Sequence, residues 1–528
     1  MSRANAFRRV LKRCAVFVEQ HALWIMLAAA ASYVVFFSVL GILDHWGLRT
    51  LYNDLGYAEQ SLAQIAAGHP TLPRPGGPAF GDPRLAKHAN FAFFAVAPLY
   101  VLFPFAETLL ILASAAVAAA AVALFFLARH VLKRGAWGLL FGLALLINPL
   151  VQETNLFDFH VEVLALPFFL WAAYALERKR WGWYWLAVLL LLSVKEEMPF
   201  LVATWGIFVT VRHSRRHGLL TIGVAILSFL GIAWMMSHLG KGVGEDFPLR
   251  FGYLGGSVPD MLWTLLSDPG QTFHVILHPS KVKYLQYLGI QALPLGIFAP
   301  LALLAALPHA CINLLDALNF QSRLTDVYYS GIIIAVAYAA GVYGLRRLRQ
   351  LPRPVANIGV TLFAAQAVVI AVLMAPNPLS RHAEWRDFAI LHDTGIFRSM
   401  LQAIPPGAVV MTQNNLGAHL ARENIVIFTG KNMSRAKYMF FHIQLPFARR
   451  RPRSSSPYMI LGSKTTTYRR DVLAAFDRPD FGVVSYGSAF YLLKRNHPRA
   501  LNAQAKAQAQ RELDNLRFAP DGTNLSLP

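Results

Sequence analysis

The sequence predicts an all-α polytopic membrane protein that carries a small C-terminal α/β domain outside the membrane. Hydrophobic residues fill 55% of the 528 positions, more than in an average soluble domain, and charged residues fill only 15%. Several apolar runs approach the roughly 20 residues that a helix needs to cross the hydrocarbon core. From about residue 377 the pattern changes to short β-branched and aromatic runs bounded by Gly, Asn and Pro, which is typical of a small α/β domain.

Basic clusters beside the apolar runs predict the topology. The first run, residues 22–43, is too long for a signal-peptide core and indicates a retained signal anchor. Placing every basic cluster in the cytoplasm gives about 11 spans, with the N-terminus inside and the C-terminus outside. The clusters are residues 8–13, 133–134, 177–180, 212–217 and 346–354. The predicted spans are 22–43, 106–131, 136–152, 161–177, 182–195, 197–212, 218–237, 284–298, 300–318, 329–345 and 356–375.

Two segments bear on the number of spans. Residues 90–104 are short and interrupted by Pro98 and Pro104, so we predict a juxtamembrane or re-entrant piece rather than a crossing. Residues 284–318 need a tight hairpin on the inner side between Pro294 and Pro300. Without that hairpin the number of membrane spans would change from odd to even.

This topology divides the chain into three parts. Residues 1–376 form the transmembrane domain, with a first outer loop at 44–90 and a later outer loop at 238–283. Residues 377–500 form the extracytoplasmic α/β domain, and residues 501–528 form a polar tail whose last ten or so residues we expect to be disordered. The protein is therefore expected in the cytoplasmic membrane as a multi-pass protein.

The net charge of +21 does not indicate a nucleic-acid partner, because topology accounts for the basic clusters of the membrane half. The basic C-terminal domain suits a surface close to anionic lipid headgroups or phosphates. Cys14 and Cys311 give neither a disulfide framework nor a metal-ligand spacing.

The first outer loop contains the first candidate for chemistry. Asp54 directly precedes a helical pattern, so it is either a functional carboxylate or an N-cap. Three further polar candidates on this loop are weaker: Glu59, Asp82 and His88.

The segment NLFDFHVEVLALPFFL places three ionisable residues at the mouth of an apolar run. Asp158, His160 and Glu162 share a face in an extended strand, whereas in a helix only the two carboxylates do. Either arrangement could present oxygen ligands to Mg²⁺ or Mn²⁺, or hold an imidazole against a carboxylate. The alternative is a helix N-terminus whose acids complement the dipole. The flanking apolar residues favour function, since an ionisable group at that depth is costly.

Later outer segments contribute further candidate side chains, mainly lysine, arginine, glutamate and tyrosine. Lys195, Glu196 and Glu197 lie between two apolar runs, where they could serve a site or merely keep a turn in water. Arginine suits bidentate contact with phosphate oxygens, although a loop arginine is often only solvated. The loop candidates are Arg250, Tyr253, Arg323, Asp326, Tyr328 and Tyr329. Without a Walker loop, dinucleotide fingerprint, nucleophile elbow or HExxH, soluble nucleotide chemistry is not indicated.

Four segments carry a family resemblance. DLGYAEQSLAQIAAGHP, NLFDFHVEVLALP, LLLLSVKEEMPFLV and RFGYLGGS, in this order, resemble a family of bacterial and archaeal polytopic membrane proteins catalogued as a domain of unknown function. The similarity covers roughly residues 50–495. The family usually has Asp at the position of Glu59 and KED at residues 195–197, which keeps the charge. It often has His where this chain has Tyr328, so a role of that histidine is not carried over.

That family in turn resembles the C-type membrane glycosyltransferases, which use a catalytic carboxylate of the first outer loop and can hold a metal on a later acidic motif. By position, Asp54 matches the first-loop carboxylate, and Asp158 with Glu162 matches the second motif. The resemblance implies GT-C-like outer loops and is an analogy at the level of the fold.

The leading hypothesis is an integral-membrane glycosyltransferase that uses a polyprenyl-phosphate-linked sugar at the outer face. Its partners would be membrane lipids, this donor and an acceptor glycan, lipid or protein, with no nucleic acid. The rival hypotheses are a transporter or flippase for a lipid-linked or anionic solute, and a non-catalytic membrane scaffold.

The glycosyltransferase hypothesis assigns a role to each candidate. Asp54 is the predicted general base and Glu59 a second catalytic candidate. A divalent cation, Mg²⁺ or Mn²⁺, or the donor would bind at Asp158, His160, Glu162, Glu196 and Glu197. Lys195, Arg250 and Arg323 would contact the phosphate. His88, Tyr253 and Tyr329 complete the predicted site.

Overall fold

The computed structural model describes residues 3–69, 85, 88–239, 246–323, 328–376, 380, 389–429, 433–444 and 461–515. The candidates Asp82 and Asp326 and the last residues of the predicted tail lie outside this part of the chain. The helices up to residue 376 are α1 (Arg3–Trp46), α2 (Tyr57–Ala66), α3 (Ala92–Leu102), α4 (Ala106–Leu132), α5 (Gly135–Leu146), α6 (Pro149–Leu156), α7 (Ala165–Glu177), α8 (Trp181–Leu192), α9 (Met198–Arg212), α10 (Arg215–Leu239), α11 (Asp246–Phe251), α12 (Val258–Ser267), α13 (Pro269–Ile276), α14 (Pro279–Gly296), α15 (Pro300–Leu303), α16 (Leu307–Leu315), α17 (Gly331–Leu348) and α18 (Arg353–Met374).

Every predicted span coincides with one of these helices or with a helix pair. By length and composition alone, α1, α4, α10, α17 and α18 are long and apolar enough to cross a membrane among the described residues. The pair α5 and α6 bends by 52° and counts as a sixth candidate. The bend follows from sequence, because Asn148 caps α6 and Pro149 occupies its first turn. The remaining apolar helices are shorter, so the count of about 11 spans stays a prediction.

Burial distinguishes central from peripheral helices. In α17, 89% of the apolar window is buried within the protein, whereas the corresponding shares in α10 and α18 are 17% and 22%. Small residues let α17 occupy this position: a Cβ at Gly344 would collide with the backbone carbonyl of Leu295 on α14. The exposed apolar faces of α10 and α18 are then the surfaces that lipid would cover.

The basic clusters meet at one end of the helices. Glu177 lies 3.3 Å from His213, and Arg349 donates to the carbonyl of Leu132 at 3.1 Å. Arg347 donates to Phe298, in the break between α14 and α15, at 2.9 Å. That break therefore lies at the basic end, as the predicted hairpin on the inner side requires.

A mixed five-stranded sheet forms the core of the C-terminal part. Its order is β2-β1-β3-β5-β4, with β1 parallel to β2 and β3, and β5 antiparallel to β3 and β4. Ser488 and Ala489 both have positive φ, which suits a tight turn between β4 and β5. The strands are β1 (Val409–Thr412), β2 (Ile425–Phe428), β3 (Tyr438–His442), β4 (Phe481–Gly487) and β5 (Phe490–Arg495). The helices around them are α19 (Thr394–Gln402), α20 (Asn414–Gly417), α21 (Thr465–Asp477) and α22 (Asn502–Asn515).

The two faces of this sheet pack against different partners. Met439 and Phe441 of β3 join a core with α21 and α22, to which Ala505 and Leu513 contribute, so this core extends past residue 500. Phe440 belongs to a second core on the opposite face. That core contains residues of β1, β2, β5 and α19 together with Leu48, Tyr52 and Tyr57 of the first outer loop. The sheet therefore rests directly on the loop that carries Asp54.

A buried histidine at this second face makes the domain sensitive to acid. His442 stacks on Phe490 with ring centroids 3.9 Å apart, and neither of its ring nitrogens has a hydrogen-bond partner among the described residues. Burial, and then the charge of His392, lower the pKa of His442 to about 3. The folded domain thus keeps this ring neutral at pH values where the unfolded chain binds a proton.

We expect His442→Phe to reduce the loss of stability on acidification. Below the ordinary histidine pKa of about 6.5, each such group costs about 1.4 kcal/mol of unfolding free energy per pH unit until its folded pKa is reached. Thermal unfolding followed by intrinsic fluorescence at pH 7.5 and 5.5 tests this. The midpoint should fall less in the variant than in the wild type, and an equal fall in both proteins would contradict the assignment.

Candidate functional site

Asp54 lies in a π-helical turn and does not cap a helix. The turn spans Tyr52–Gly56 and continues directly into α2, and neither its capping residue Leu51 nor Gly56 before α2 makes a side-chain cap bond. The N-cap interpretation of Asp54 is therefore wrong. π-helical turns are rare and frequently occur at functional sites, because the extra residue per turn re-aims a side chain.

Asp54 pairs with His160. The imidazole Nε2 lies 3.0 Å from Asp54 Oδ1, and Nδ1 lies 2.8 Å from the carbonyl oxygen of Phe157. Because a carbonyl only accepts, Nδ1 must carry a proton. The contact at Nε2 then requires a further proton, either on Nε2 or on the Asp54 carboxyl. Asp54 and His160 therefore share one proton and act as a unit.

Asp158 points to the backbone of the first outer loop instead of joining this pair. Its Oδ2 accepts the N–H of Leu51 at 2.9 Å, and the residue is buried with φ at +52°. Positive φ is unusual for a residue other than glycine and turns the side chain out of the regular alternation. With positive φ at Asp158 and a 3₁₀ helix at Val161–Leu164, the segment follows neither the extended nor the α-helical arrangement that the sequence left open. Asp158 holds the start of the turn that carries Asp54.

Lys195 forms a buried ionic cluster. Its Nζ lies 2.8 Å from Glu162 Oε1 and 3.6 Å from Glu197 Oε1, and His309 Nε2 lies 3.7 Å from the same Glu197 oxygen. The lysine is buried, so these carboxylates offset the cost of removing its charge from water. The charge of Lys195 is consequently neutralised within the protein.

Two tyrosines connect this cluster to Asp54. The ring of Tyr328 stacks on His160 at 3.8 Å between centroids and on Tyr329 at 4.2 Å. Lys195 Nζ lies 5.6 Å and 5.5 Å from the centroids of the two tyrosine rings, within cation–π range. Asp54, His160, Tyr328, Tyr329 and Lys195 thus form one continuous cluster, built from segments far apart in the sequence.

Two arginines flank the far side of this cluster. The guanidinium carbons of Arg250 and Arg323 lie 5.2 Å and 5.1 Å from the centroid of Phe320, whose ring meets Tyr329 edge-on at 6.1 Å. Arg250 also lies 3.4 Å from the fully buried Asp316, while Arg323 is exposed. Arg323 therefore offers the more available positive charge.

Asp316 and Tyr253 fix the loop that presents these arginines. The carboxylate of Asp316 accepts the backbone N–H groups of residues 318, 320 and 321 at 3.1, 2.8 and 2.8 Å. Tyr253 donates its hydroxyl to the carbonyl of Leu315 at 3.0 Å. Tyr253 is therefore engaged in holding two outer segments together.

Two predicted carboxylates lie beside the cluster in separate pairs. Glu196 accepts from Ala89 and contacts His88 Nδ1 at 2.8 Å. Burial disfavours ionisation of Glu196, but His88, Lys195 and a backbone N–H together outweigh burial and lower the pKa of the carboxyl to about 2. Glu59 instead accepts from Tyr100 of α3 at 3.2 Å, and burial raises its pKa to about 7 against that hydrogen bond. Glu59 thus faces α3, and His160 is the partner of Asp54.

The carboxylates predicted to bind a cation are each engaged with a partner in the protein. No group of three or more His, Cys, Asp or Glu side chains with the geometry to hold a metal ion occurs within the described ranges. The carboxylate of Asp158 holds Leu51, Glu162 and Glu197 neutralise Lys195, and Glu196 holds the segment 88–89. We assign no step of a reaction to a cation at these residues.

Several residues of the cluster were not singled out from sequence. His309 lies within an apolar run and Asp316 near its end, and an ionisable residue in such a run is itself a signal of function. Asn414 accepts the backbone N–H of Asn53 at 3.0 Å through its side-chain oxygen. Nothing in the sequence marks Asn414, since its contact crosses from the C-terminal domain to the first outer loop.

Comparison with known proteins identifies the family. Residues 44–451 match the family described as "Predicted membrane protein (DUF2079)". The chain belongs to this family. The match confirms the predicted membership in a family of membrane proteins of unknown function. It includes the first outer loop, every segment of the cluster and part of the C-terminal domain.

Two further comparisons accompany this DUF2079 assignment. The crystal structure of ArnT from Cupriavidus metallidurans bound to undecaprenyl phosphate aligns with a TM-score of 0.48 and 14% sequence identity, over 89% of this chain and 97% of ArnT. No protein of curated function matches the chain.

We expect Asp158→Ala to destabilise this DUF2079 protein more than Asp158→Asn. The alanine leaves the buried Leu51 N–H unpaired, which costs about 1–3 kcal/mol, and retains the unfavourable positive φ. Asparagine keeps an acceptor oxygen and tolerates positive φ. Thermal unfolding of the two purified variants measures the difference. Equal midpoints for the two variants would contradict the anchoring role of Asp158.

Proposed function

We propose that this DUF2079 protein is an integral-membrane glycosyltransferase that transfers a sugar from a polyprenyl phosphate at the outer face of the membrane. The observation that carries the proposal is the pairing of Asp54 with His160 in a π-helical turn that Asp158 and Asn414 hold in place. A carboxylate that acts as a general base must be held at a fixed position, and a neighbouring group must set its protonation state. This pair supplies both.

The proposed reaction requires one base from these residues. The acceptor hydroxyl oxygen attacks the anomeric carbon while the bond from that carbon to the phosphate oxygen breaks. The hydroxyl proton passes to the Asp54 carboxylate, which accepts it in the state where the shared proton lies on His160 Nε2, and the bonding electron pair leaves with the polyprenyl phosphate. His160 acts through Asp54, since its Nε2 and that carboxylate share a proton. It is a positioning residue.

The departing phosphate needs positive charge that the protein does not already neutralise. Lys195 is committed to Glu162 and Glu197, so we assign it to holding the tyrosines beside His160. Arg323 is exposed and Arg250 makes only a long contact with Asp316, so these two guanidinium groups are the better phosphate contacts. Guanidinium offers the planar fork that suits bidentate phosphate binding.

The position of the C-terminal domain suits a role in presenting the acceptor. Its sheet packs on Leu48 and Tyr52, and Asn415 donates to the carbonyl of Leu48 at 3.1 Å. An acceptor glycan, lipid or protein bound by the domain would therefore lie next to the turn that carries Asp54. The donor's polyprenyl tail would lie among the exposed apolar helices in lipid.

Asp54→Asn is expected to lower sugar transfer by at least about 100-fold, because it removes the base and keeps the side-chain volume. Purified full-length protein would be incubated with radiolabelled polyprenyl-phosphate sugars and a membrane extract as the acceptor source. Asp477→Asn is the matched control. That carboxylate lies on α21, where its partner is Lys506 and not the cluster, so its rate should stay within about twofold of wild type.

Transfer that is equal in wild type and Asp54→Asn would remove Asp54 from the mechanism. Failure of the wild type to transfer any sugar would contradict the enzymatic proposal and favour the transporter hypothesis. Binding of the same donors to this protein without turnover would then be the result to pursue.

A further inference from the structure

A basic cavity opens at the end of the helices opposite to Asp54. It has a volume of about 500 Å³ and lies between the last turns of α4 and α7, the start of α5 and the first part of α1. Its lining is Glu19, Phe126, Arg129, His130, Lys133, Arg134, Gly135, Tyr174 and Arg178. None of these residues belongs to the cluster around Asp54.

The positive charges of this cavity outnumber the carboxylates near them, which are Glu19, close to Arg129 and Arg134, and Glu177, close to Lys133. Arg129, Lys133, Arg134 and Arg178 form no ion pair with any residue in the described part of the chain. Glu19 is the one carboxylate of the lining, and its two oxygens accept the N–H groups of Gly135 and Ala136 at 2.7 and 3.0 Å. Four cations that face a single lining carboxylate leave an excess of positive charge, and an anion that entered this concave space would reduce their mutual repulsion.

The lining is graded from charged to aromatic. Phe126 and Tyr174 stand about one helical turn before Arg129 and Arg178 on α4 and α7, so they lie deeper along each helix. Their rings stack with centroids 5.6 Å apart, and Trp171, partly exposed, continues the aromatic face at 6.1 Å from Phe126. This order of cations at the rim and aromatics beneath matches a phosphate headgroup above its glycerol and acyl chains.

The depth of the cavity agrees with a headgroup position. Glu19 and Asp44 lie on the same uninterrupted helix α1, and at 1.5 Å per residue they are about 38 Å apart. That distance exceeds the roughly 30 Å of the hydrocarbon core, so the cavity and Asp54 lie at opposite interfaces. By the positive-inside rule, the cavity faces the cytoplasmic leaflet.

We infer that this cavity binds the phosphate headgroup of an anionic lipid of the cytoplasmic leaflet. The positive-inside rule explains why cations lie on this side, but not why four of them converge on a cavity with an aromatic floor. The cluster at 212–217 provides the contrast, because Arg215 and Arg216 are exposed at the same end and do not line the cavity. Bound lipid would neutralise the repulsion and brace α1, α4, α5 and α7 against each other.

Native mass spectrometry of the full-length protein tests this inference. Phosphatidylglycerol and phosphatidylcholine with identical acyl chains would be titrated against wild type, Arg129→Gln/Arg178→Gln and the matched control Arg215→Gln/Arg216→Gln. Two basic side chains near a phosphate are worth about tenfold to thirtyfold in affinity. We expect the cavity variant to lose phosphatidylglycerol affinity by that factor and the control to stay within about twofold.

Three results would overturn the inference. These are equal losses in the two variants, equal binding of the two lipids by the wild type, and displacement of phosphatidylglycerol by inorganic phosphate, which would assign the cavity to a soluble phosphate. Arg129→Lys/Arg178→Lys keeps both charges and should retain the wild-type preference for phosphatidylglycerol over phosphatidylcholine. Loss of that preference in the folded lysine variant would also overturn the inference, so the test holds even if the glutamine variant folds poorly.

Discussion

The hydrogen bond from the Leu51 amide to the Asp158 carboxylate is the contact on which the candidate site depends. It fixes the start of the π-helical turn from the membrane side, while Asn414 of the C-terminal domain fixes the next residues by accepting from Asn53. Asp54 follows directly, and in this arrangement its carboxylate reaches His160. Because the anchor is itself in a left-handed conformation, the strain at Asp158 is offset by a buried, charge-assisted hydrogen bond.

A second constraint is the shortage of water around the cluster. Lys195 is buried and its two glutamates are partly buried, and a buried charge persists only when it is paired. Tyr328 stacks on His160 and on Tyr329, and both tyrosine rings lie beside Lys195. They therefore fix the position of the Asp54–His160 pair relative to the ionic cluster of Lys195. Removing one partner of Lys195 would leave an uncompensated buried charge, and the disturbance would reach Asp54 through Tyr328.

Much of the architecture could be predicted from sequence, because hydrophobic length and basic flanks report directly on helices and on their polar ends. The predicted segments that meet at the outer end, those of Asp54, His160, Lys195 and Arg250, do come together. The hydrogen bonds and ion pairs within the candidate site could not be predicted. Periodicity assumes regular backbone, and the positive φ of Asp158 and the π-helical turn at Asp54 break that assumption. Partners such as Asn414 and His309 arise only from tertiary packing.

If Asp54 and His160 form one site with the two arginines, a lipid-linked phosphate should bind between them. A cryo-electron microscopy structure of the protein in nanodiscs that contain polyprenyl phosphate would locate it. We expect phosphate density in contact with Arg323 or Arg250 and facing Asp54. Phosphate bound only elsewhere, or an Asp54 carboxylate separated from His160 in the occupied protein, would contradict it.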